Sequence, residues 1–136
     1  MCVRKRIVGD NKMKLKDLVG YQLVSIDDAK IIVKKGNRKY EIVIRDDPGG
    51  CCGYNDIKTE LYFDKEDNKR NPVIIDVDEK FDSGNFNTSC SITFIGEYGN
   101  LGKIDSLSSS GSGWCYGATV TLISNKLDIK EIISSW

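Results

Sequence analysis

Two β-branched runs, Ala29 to Lys34 and Arg38 to Arg45, are separated only by Lys35, Gly36 and Asn37, and no other feature restricts the fold so tightly. A link that short has to reverse the chain, and glycine beside asparagine supplies the backbone conformations of a tight hairpin turn. The two runs are therefore expected to be antiparallel neighbours. Alternation places Tyr40, Ile42 and Ile44 on one face of the second strand and Lys39, Glu41, Val43 and Arg45 on the other. One face is expected to be buried and the other partly exposed, with Arg45 reaching outward beside the loop that follows.

The rest of the chain extends this pattern. Tyr21 to Ile26, Ile57 to Phe63, Val73 to Glu79, Ser89 to Ile95, Leu101 to Leu107 and Ala118 to Ile123 read as further strands, with Ile92 and Phe94 facing the core. Residues 97–100 supply a hairpin turn, and Lys80 to Thr88 reads as a loop anchored by Phe81 and Phe86. A single helical turn is expected from Leu15, ending at Gly20. The tail changes period: Ile129, Ile132, Ile133 and Trp136 fall at i, i+3, i+4 and i+7, and Asp128 followed by Glu131 resembles a capping box. The expected fold class is α+β, mostly β: an antiparallel meander and hairpin sheet with a short C-terminal helix that packs on the sheet or covers a subunit interface. Residues 1–12 are expected to form a poorly ordered extension, and residues 13–136 a single β-rich domain.

Composition narrows the function. A chain of 136 residues can bury roughly two-thirds of its unfolded surface as one domain. Its 20 basic and 20 acidic side chains cancel, so the global charge of a duplex nucleic-acid binder is missing, although a local basic patch is compatible with the sum. No signal-peptide h-region and no membrane-length apolar run occurs, which predicts a protein of the cytoplasm with no membrane partner. Five cysteines, without CxxC spacing, suit reduced thiols. Zinc held by Cys51, Cys52, Cys90 and Cys115 is disfavoured, because consecutive cysteines in an extended segment point to opposite faces. With no histidine in the chain, Ser-His-Asp and Cys-His catalysis are excluded. Asp76 and Asp78 could touch a hard cation but have no third ligand in register. No cofactor, metal or enzymatic activity is expected.

Two stretches are too specialised to be connectors. The first, DDPGGCCGYND from Asp46 to Asp56, sets Tyr54 and Asn55 after two small thiols; a flat ring and an amide suit a nucleobase. Cys51 and Cys52 read as small buried hydrophobes, and the flanking Asp46, Asp47 and Asp56 oppose thiolate formation. The second is SLSSSGSGWCYGATVTL, from Ser106 to Leu122. Its glycines permit close backbone approach, so hydroxyls and amides of residues 108–112 could cradle an anion beside Trp114 and Tyr116. A flexible surface loop leading into a strand whose Trp114 and Tyr116 simply pack in the core fits the same residues. The GxxxxGK[ST] phosphate loop is absent.

Together the hairpin, the GGCCGYND loop, the strand TFIGEYG and the SSSGSGWCYGATVTL stretch resemble a domain of unknown function seen in small phage and prophage proteins of Gram-positive bacteria, over roughly Leu15 to Trp136. More distantly, the chain is similar to the Thoeris anti-defence sponge proteins of phages. In those, a paired-cysteine loop after a β-hairpin and a Gly-rich Tyr-Tyr-Gly lead into a strand recur; the counterparts here are Cys51-Cys52 and Trp114 to Gly117. Sponge proteins sequester cyclic ADP-ribose isomers, and some bind cyclic oligonucleotides. The resemblance implies binding of a nucleotide immune signal without turnover, in the host bacterial cytoplasm. A base would stack on Trp114, Tyr116 or Tyr54, a pyrophosphate would meet Ser110 and Ser112 with Arg45 nearby, and Asn55 would bond a ribose or base edge. The histidine-containing pattern of the sponges is replaced here by Ser110 to Gly117, and no arginine follows Arg70, so the phosphate clamp falls to Arg38, Arg45, a lysine or backbone amides.

The competing expectation is a phage-encoded inhibitor that binds a host protein through a surface patch. Single-stranded nucleic acid suits the aromatics but not the zero net charge. A homo-oligomer is expected in either case.

Overall fold

The computed structural model describes residues 13–49, 53–63, 72–84, 87–109 and 118–135. The hairpin forms as its chemistry requires. Strands β2 (Lys30–Lys35) and β3 (Arg38–Asp47) pair from Lys35↔Arg38 to Lys30↔Val43. Gly36 takes φ 63° while Asn37 keeps a negative φ, the sign pattern of a type II′ turn. Ile42 and Ile44 are buried, and Val43 and Arg45 are exposed on the opposite face. Strand β1 (Gln22–Ile26) joins β2 through a turn in which Asp27 Oδ1 accepts the Ala29 and Lys30 N–H groups at 2.8 and 2.9 Å.

Six further strands complete the described residues: β4 (Tyr54–Leu61), β5 (Asp76–Ser83), β6 (Asn87–Gly96), β7 (Gly99–Ser109), β8 (Thr119–Ser124) and β9 (Ile129–Ser135). They form a five-stranded sheet of order β1-β2-β3-β8-β9 and a four-stranded sheet of order β4-β7-β6-β5. Every neighbouring pair is antiparallel. In the smaller sheet β5, β6 and β7 are a meander, and β4 reaches the far side of β7 by a long connection, a Greek-key arrangement read from its C-terminal end.

The sheets face each other across one core. Leu23, Ile31, Val33, Ile42 and Leu122 from the larger sheet meet Val77, Ile92, Phe94 and Ile104 from the smaller, all essentially inaccessible. Leu15 and Leu18 of a 3-10 turn (Leu15–Leu18) close one side, held by the Lys14 N–H donating to Asp17 Oδ2 at 2.9 Å. The expected turn before Gly20 is present. Strand β4 bonds β3 and β8 at its start, through Asn55, and the β1–β2 turn near its end, where Thr59 Oγ1 donates to Asp28 Oδ1 at 2.9 Å. It therefore runs across the larger sheet rather than along it.

The expected C-terminal helix is not formed: Ile129–Ser135 is strand β9, bonded to β8. Three isoleucines in seven residues favour extended backbone, and the edge of β8 offers hydrogen bonds that an isolated short helix would lack. Asp128, read as a helix cap, sits instead in the turn with φ 55°. A bulge between Val120 and Thr121 re-phases the ladder, so Ile133 and Ser134 are both buried, whereas Ile132 is 58% exposed. Phe81 likewise belongs to β5 rather than to a loop. Residues 1–12, Phe86 and Trp136 lie outside the described residues. Among the described residues no helix is long and apolar enough to cross a membrane.

Candidate functional site

Strand register brings the two specialised stretches to one end of the molecule. Asp47, closing β3, pairs with Thr119, opening β8, while Tyr54, opening β4, pairs with Ser109, closing β7. Ser109 also pairs with Asn87 at the start of β6, so the segment between β5 and β6 emerges at this end too. Ser110, Ser112, Trp114 and Tyr116, together with Cys51, Cys52 and Cys115, lie outside the described residues; their flanks are fixed.

What fixes those flanks is a chain of side-chain hydrogen bonds between the sheets. Asn55 Nδ2 donates to Asp46 Oδ1 at 2.7 Å and to the Thr119 carbonyl at 2.8 Å, and its Oδ1 accepts the Ser108 hydroxyl at 2.6 Å. Ser134 Oγ lies 2.7 Å from Ser108 Oγ and 2.5 Å from Ser106 Oγ. Each hydroxyl carries one proton, and Ser108 gives its own to Asn55. Ser134 must then donate to Ser108, and Ser106 to Ser134. The chain runs one way, from β7 through β9 back to β7, then through β4 to β3 and β8. Ser106, Ser108 and Ser134 are buried, so each bond is held away from competing water. Gly53 adds a close approach: a Cβ there would collide with the Pro48 carbonyl oxygen and touch Ala118 Cβ at 3.4 Å.

This geometry redistributes the residues singled out from sequence. Ser106–Ser109 are the end of β7, not part of a flexible run, and Ser108 has its hydroxyl committed to Asn55 rather than available to an anion. Tyr54 is half exposed on the outer face of the smaller sheet, whereas Asn55, its neighbour in an extended strand, turns inward. Arg45 is exposed on the outer face of the larger sheet. Tyr54, Asn55 and Arg45 are thus not brought together. A cleft of about 440 Å³ does open at this end, between β5 and β9, lined by Phe81, Thr88, Ile132 and Ser134 among others. Thr88 Oγ1 spans its edge, donating to the Ser135 carbonyl at 2.6 Å and accepting the Ser135 N–H at 3.1 Å. Phe81 is 64% exposed here. The signal for it is parity: Phe81 shares the inward face of β5 with Val77, a face that a loop assignment does not show.

The ionisable groups show which chemistry is open. Burial, reinforced by the carboxylates of Glu79, Glu131 and Asp105, pushes the Cys90 thiol up to about 12. It is therefore neither a ready zinc ligand nor a nucleophile. Iodoacetamide at about pH 8 is expected to leave Cys90 unmodified in the folded protein and to label it after denaturation, as read by peptide mass spectrometry. Asp76 Oδ1 accepts the Val77 N–H, and Asp78 sits 3.8 Å from Lys80, so the two carboxylates do not assemble a cation site. Among the described residues no group of three or more potential ligands is placed to hold a metal ion.

No family model matches the chain, and neither the curated proteins nor the solved structures contain a match to it.

Proposed function

We propose that this is a non-catalytic binding protein that sequesters a nucleotide signal, a cyclic ADP-ribose isomer or a cyclic oligonucleotide, at its loop-bearing end, as the anti-defence sponge proteins it resembles do. The observation that supports this most is the convergence of the described flanks of the two stretches, Asp46, Asp47, Tyr54 and Asn55 with Ser108, Ser109 and Thr119, on one hydrogen-bonded end of the sheets. Loops on a rigid frame are the usual place for a binding site. In this reading Trp114, Tyr116 and Tyr54 supply ring faces, and Ser110, Ser112 and backbone amides take the phosphates. Asn55 holds the frame instead of touching the ligand, and Arg45 leaves the site.

The test is capture and release. The protein is incubated with cyclic ADP-ribose isomers and cyclic di- and trinucleotides, washed, heat-denatured, and the released compounds identified by chromatography. Intact release of one compound is expected; an altered product would make the protein an enzyme, and no capture from the panel would overturn the proposal. Trp114→Ala and Tyr54→Ala should each weaken capture by about tenfold or more, the usual worth of a stacked base, without changing the melting temperature.

A further inference from the structure

Zero net charge conceals a separation of charge between the two outer faces. On the larger sheet Lys30, Lys34, Lys39, Arg45 and Lys130 point outward, against Glu41 and Asp47. Glu41 lies 3.8 Å from Lys30, and Asp47 Oδ1 accepts the Gly49 N–H at 3.1 Å. The outer face of the smaller sheet has the opposite balance: Asp56, Glu60, Asp76, Asp78, Asp82 and Asp105 outnumber Lys58, Lys80 and Lys103.

The basic face also has an apolar centre. A solvated antiparallel sheet normally turns polar residues outward. Here Ile32, Val43, Ile123 and Ile132 run diagonally from β2 to β9, with Val43 45% and Ile132 58% exposed. Register sets Lys30, Val43, Ile123 and Lys130 in one row across four strands. Its two ammonium-bearing positions are about 14 Å apart, three strand spacings, with the aliphatic side chains between them. A dry centre within a charged rim is the anatomy of a protein interface. No aromatic side chain is among the described residues that face outward from this sheet, so a nucleic-acid strand would find charge but no stacking surface.

We propose that the outer face of the larger sheet is a docking surface for an acidic protein partner, whose apolar side chains seat on the Ile32–Val43–Ile123–Ile132 diagonal while its carboxylates meet Lys30, Lys39, Arg45 and Lys130. A second copy fits less well. Its acidic face is centred on Ser89, Ser91 and Thr93, and the outward Leu107 and Tyr54 sit toward one end of that face and form no matching diagonal. The surface meets the cleft at the loop-bearing end only at Ile132, and its basic residues Lys30, Lys39 and Lys130 do not line that cleft.

The test uses fluorescence anisotropy with four probes: a 16-residue peptide alternating glutamate and leucine, a poly-glutamate of equal charge, a single-stranded oligonucleotide and phosphatidylserine vesicles. The alternating peptide is expected to bind, more weakly as salt rises, and at least tenfold better than poly-glutamate. Arg45→Glu with Lys130→Glu should weaken it at least tenfold. Lys58→Glu with Lys80→Glu, the same charge change on the other sheet, should leave it within about twofold. If the reversal pair fails to fold, Arg45→Gln with Lys130→Gln takes its place. The proposal is overturned by absence of peptide binding, equal binding of poly-glutamate, equal loss in both charge-reversal pairs, or preference for the oligonucleotide or vesicles. Salt-reversible self-association in sedimentation, abolished by the Arg45 and Lys130 changes, would overturn it in favour of a second copy.

Discussion

Asn55→Ala is expected to cost about 2–3 kcal/mol of stability, a fall of roughly 10 °C in melting temperature for a chain of this size. The substitution removes three hydrogen bonds at once, leaving the Thr119 carbonyl without its amide donor and the Ser108 hydroxyl with Ser134 alone. Asp46 is exposed and returns to water, so most of the loss comes from the other two. Two further variants separate this from simple loss of packing. Asn55→Asp keeps the shape but removes both donated bonds and sets a carboxylate against Asp46, so it should be worse than alanine near neutral pH and recover as pH falls. Ser108→Ala in the Asn55→Ala background should add less than it costs alone, because its bond to Asn55 is already gone. Urea unfolding of these variants, with Ser108→Ala alone as the fourth, reads the comparison. A loss under about 1 kcal/mol for Asn55→Ala would mean that the chain of hydroxyls does not hold the sheets together.

The same residue marks where sequence and structure part. Local features were legible: the Gly36 turn, the strands around Ile42, Ile92 and Phe94, and the turn before Gly20 all follow from chemistry within a few positions. Asn55 stands out in the sequence for its side chain, but its use depends on Asp46, Thr119 and Ser108, which only strand register brings near. Ser106 and Ser108 stand at the head of a Ser/Gly stretch that reads as flexible and Ser134 in a tail that reads as helical, because a buried hydroxyl is reasonable only once its partners are known. Isoleucines 129, 132 and 133 match a helix by spacing. Extended backbone was hidden because Glu131 interrupts the apolar alternation and a bulge shifts its phase. The charge separation was out of reach for a related reason: a sum over the chain cannot tell which lysines share a face. Lys30, Val43, Ile123 and Lys130 become one row only through three successive ladders.

Glu131, the residue that interrupts that alternation, should make the protein less stable as pH rises, and Glu131→Gln should remove the effect. Its position opposite Leu122 turns the side chain into the space between the sheets, where Oε2 is buried with no hydrogen-bond partner among the described residues. Burial raises its pKa above the ordinary 4.5, the neighbouring Glu79 carboxylate raises it further, by its charge and as an acceptor for the proton of the neutral acid, and Lys14 opposes them. Two carboxylates facing each other can be satisfied only by a proton between them. The folded state therefore holds that proton more tightly than the unfolded chain does. Stability from this pair is complete below the unfolded value and is lost as pH climbs from there through the raised folded value. Glutamine keeps the shape and brings its own N–H to donate to Glu79, so it needs no proton from solvent. The variant should match the parent near pH 4 and exceed it by about 1–2 kcal/mol near pH 8, the usual cost of a buried polar group without a partner. Urea midpoints across that range decide the matter. A difference that stays constant with pH, or a glutamine variant that is weaker near pH 8, would show that Glu131 and Glu79 do not share a proton across the two sheets.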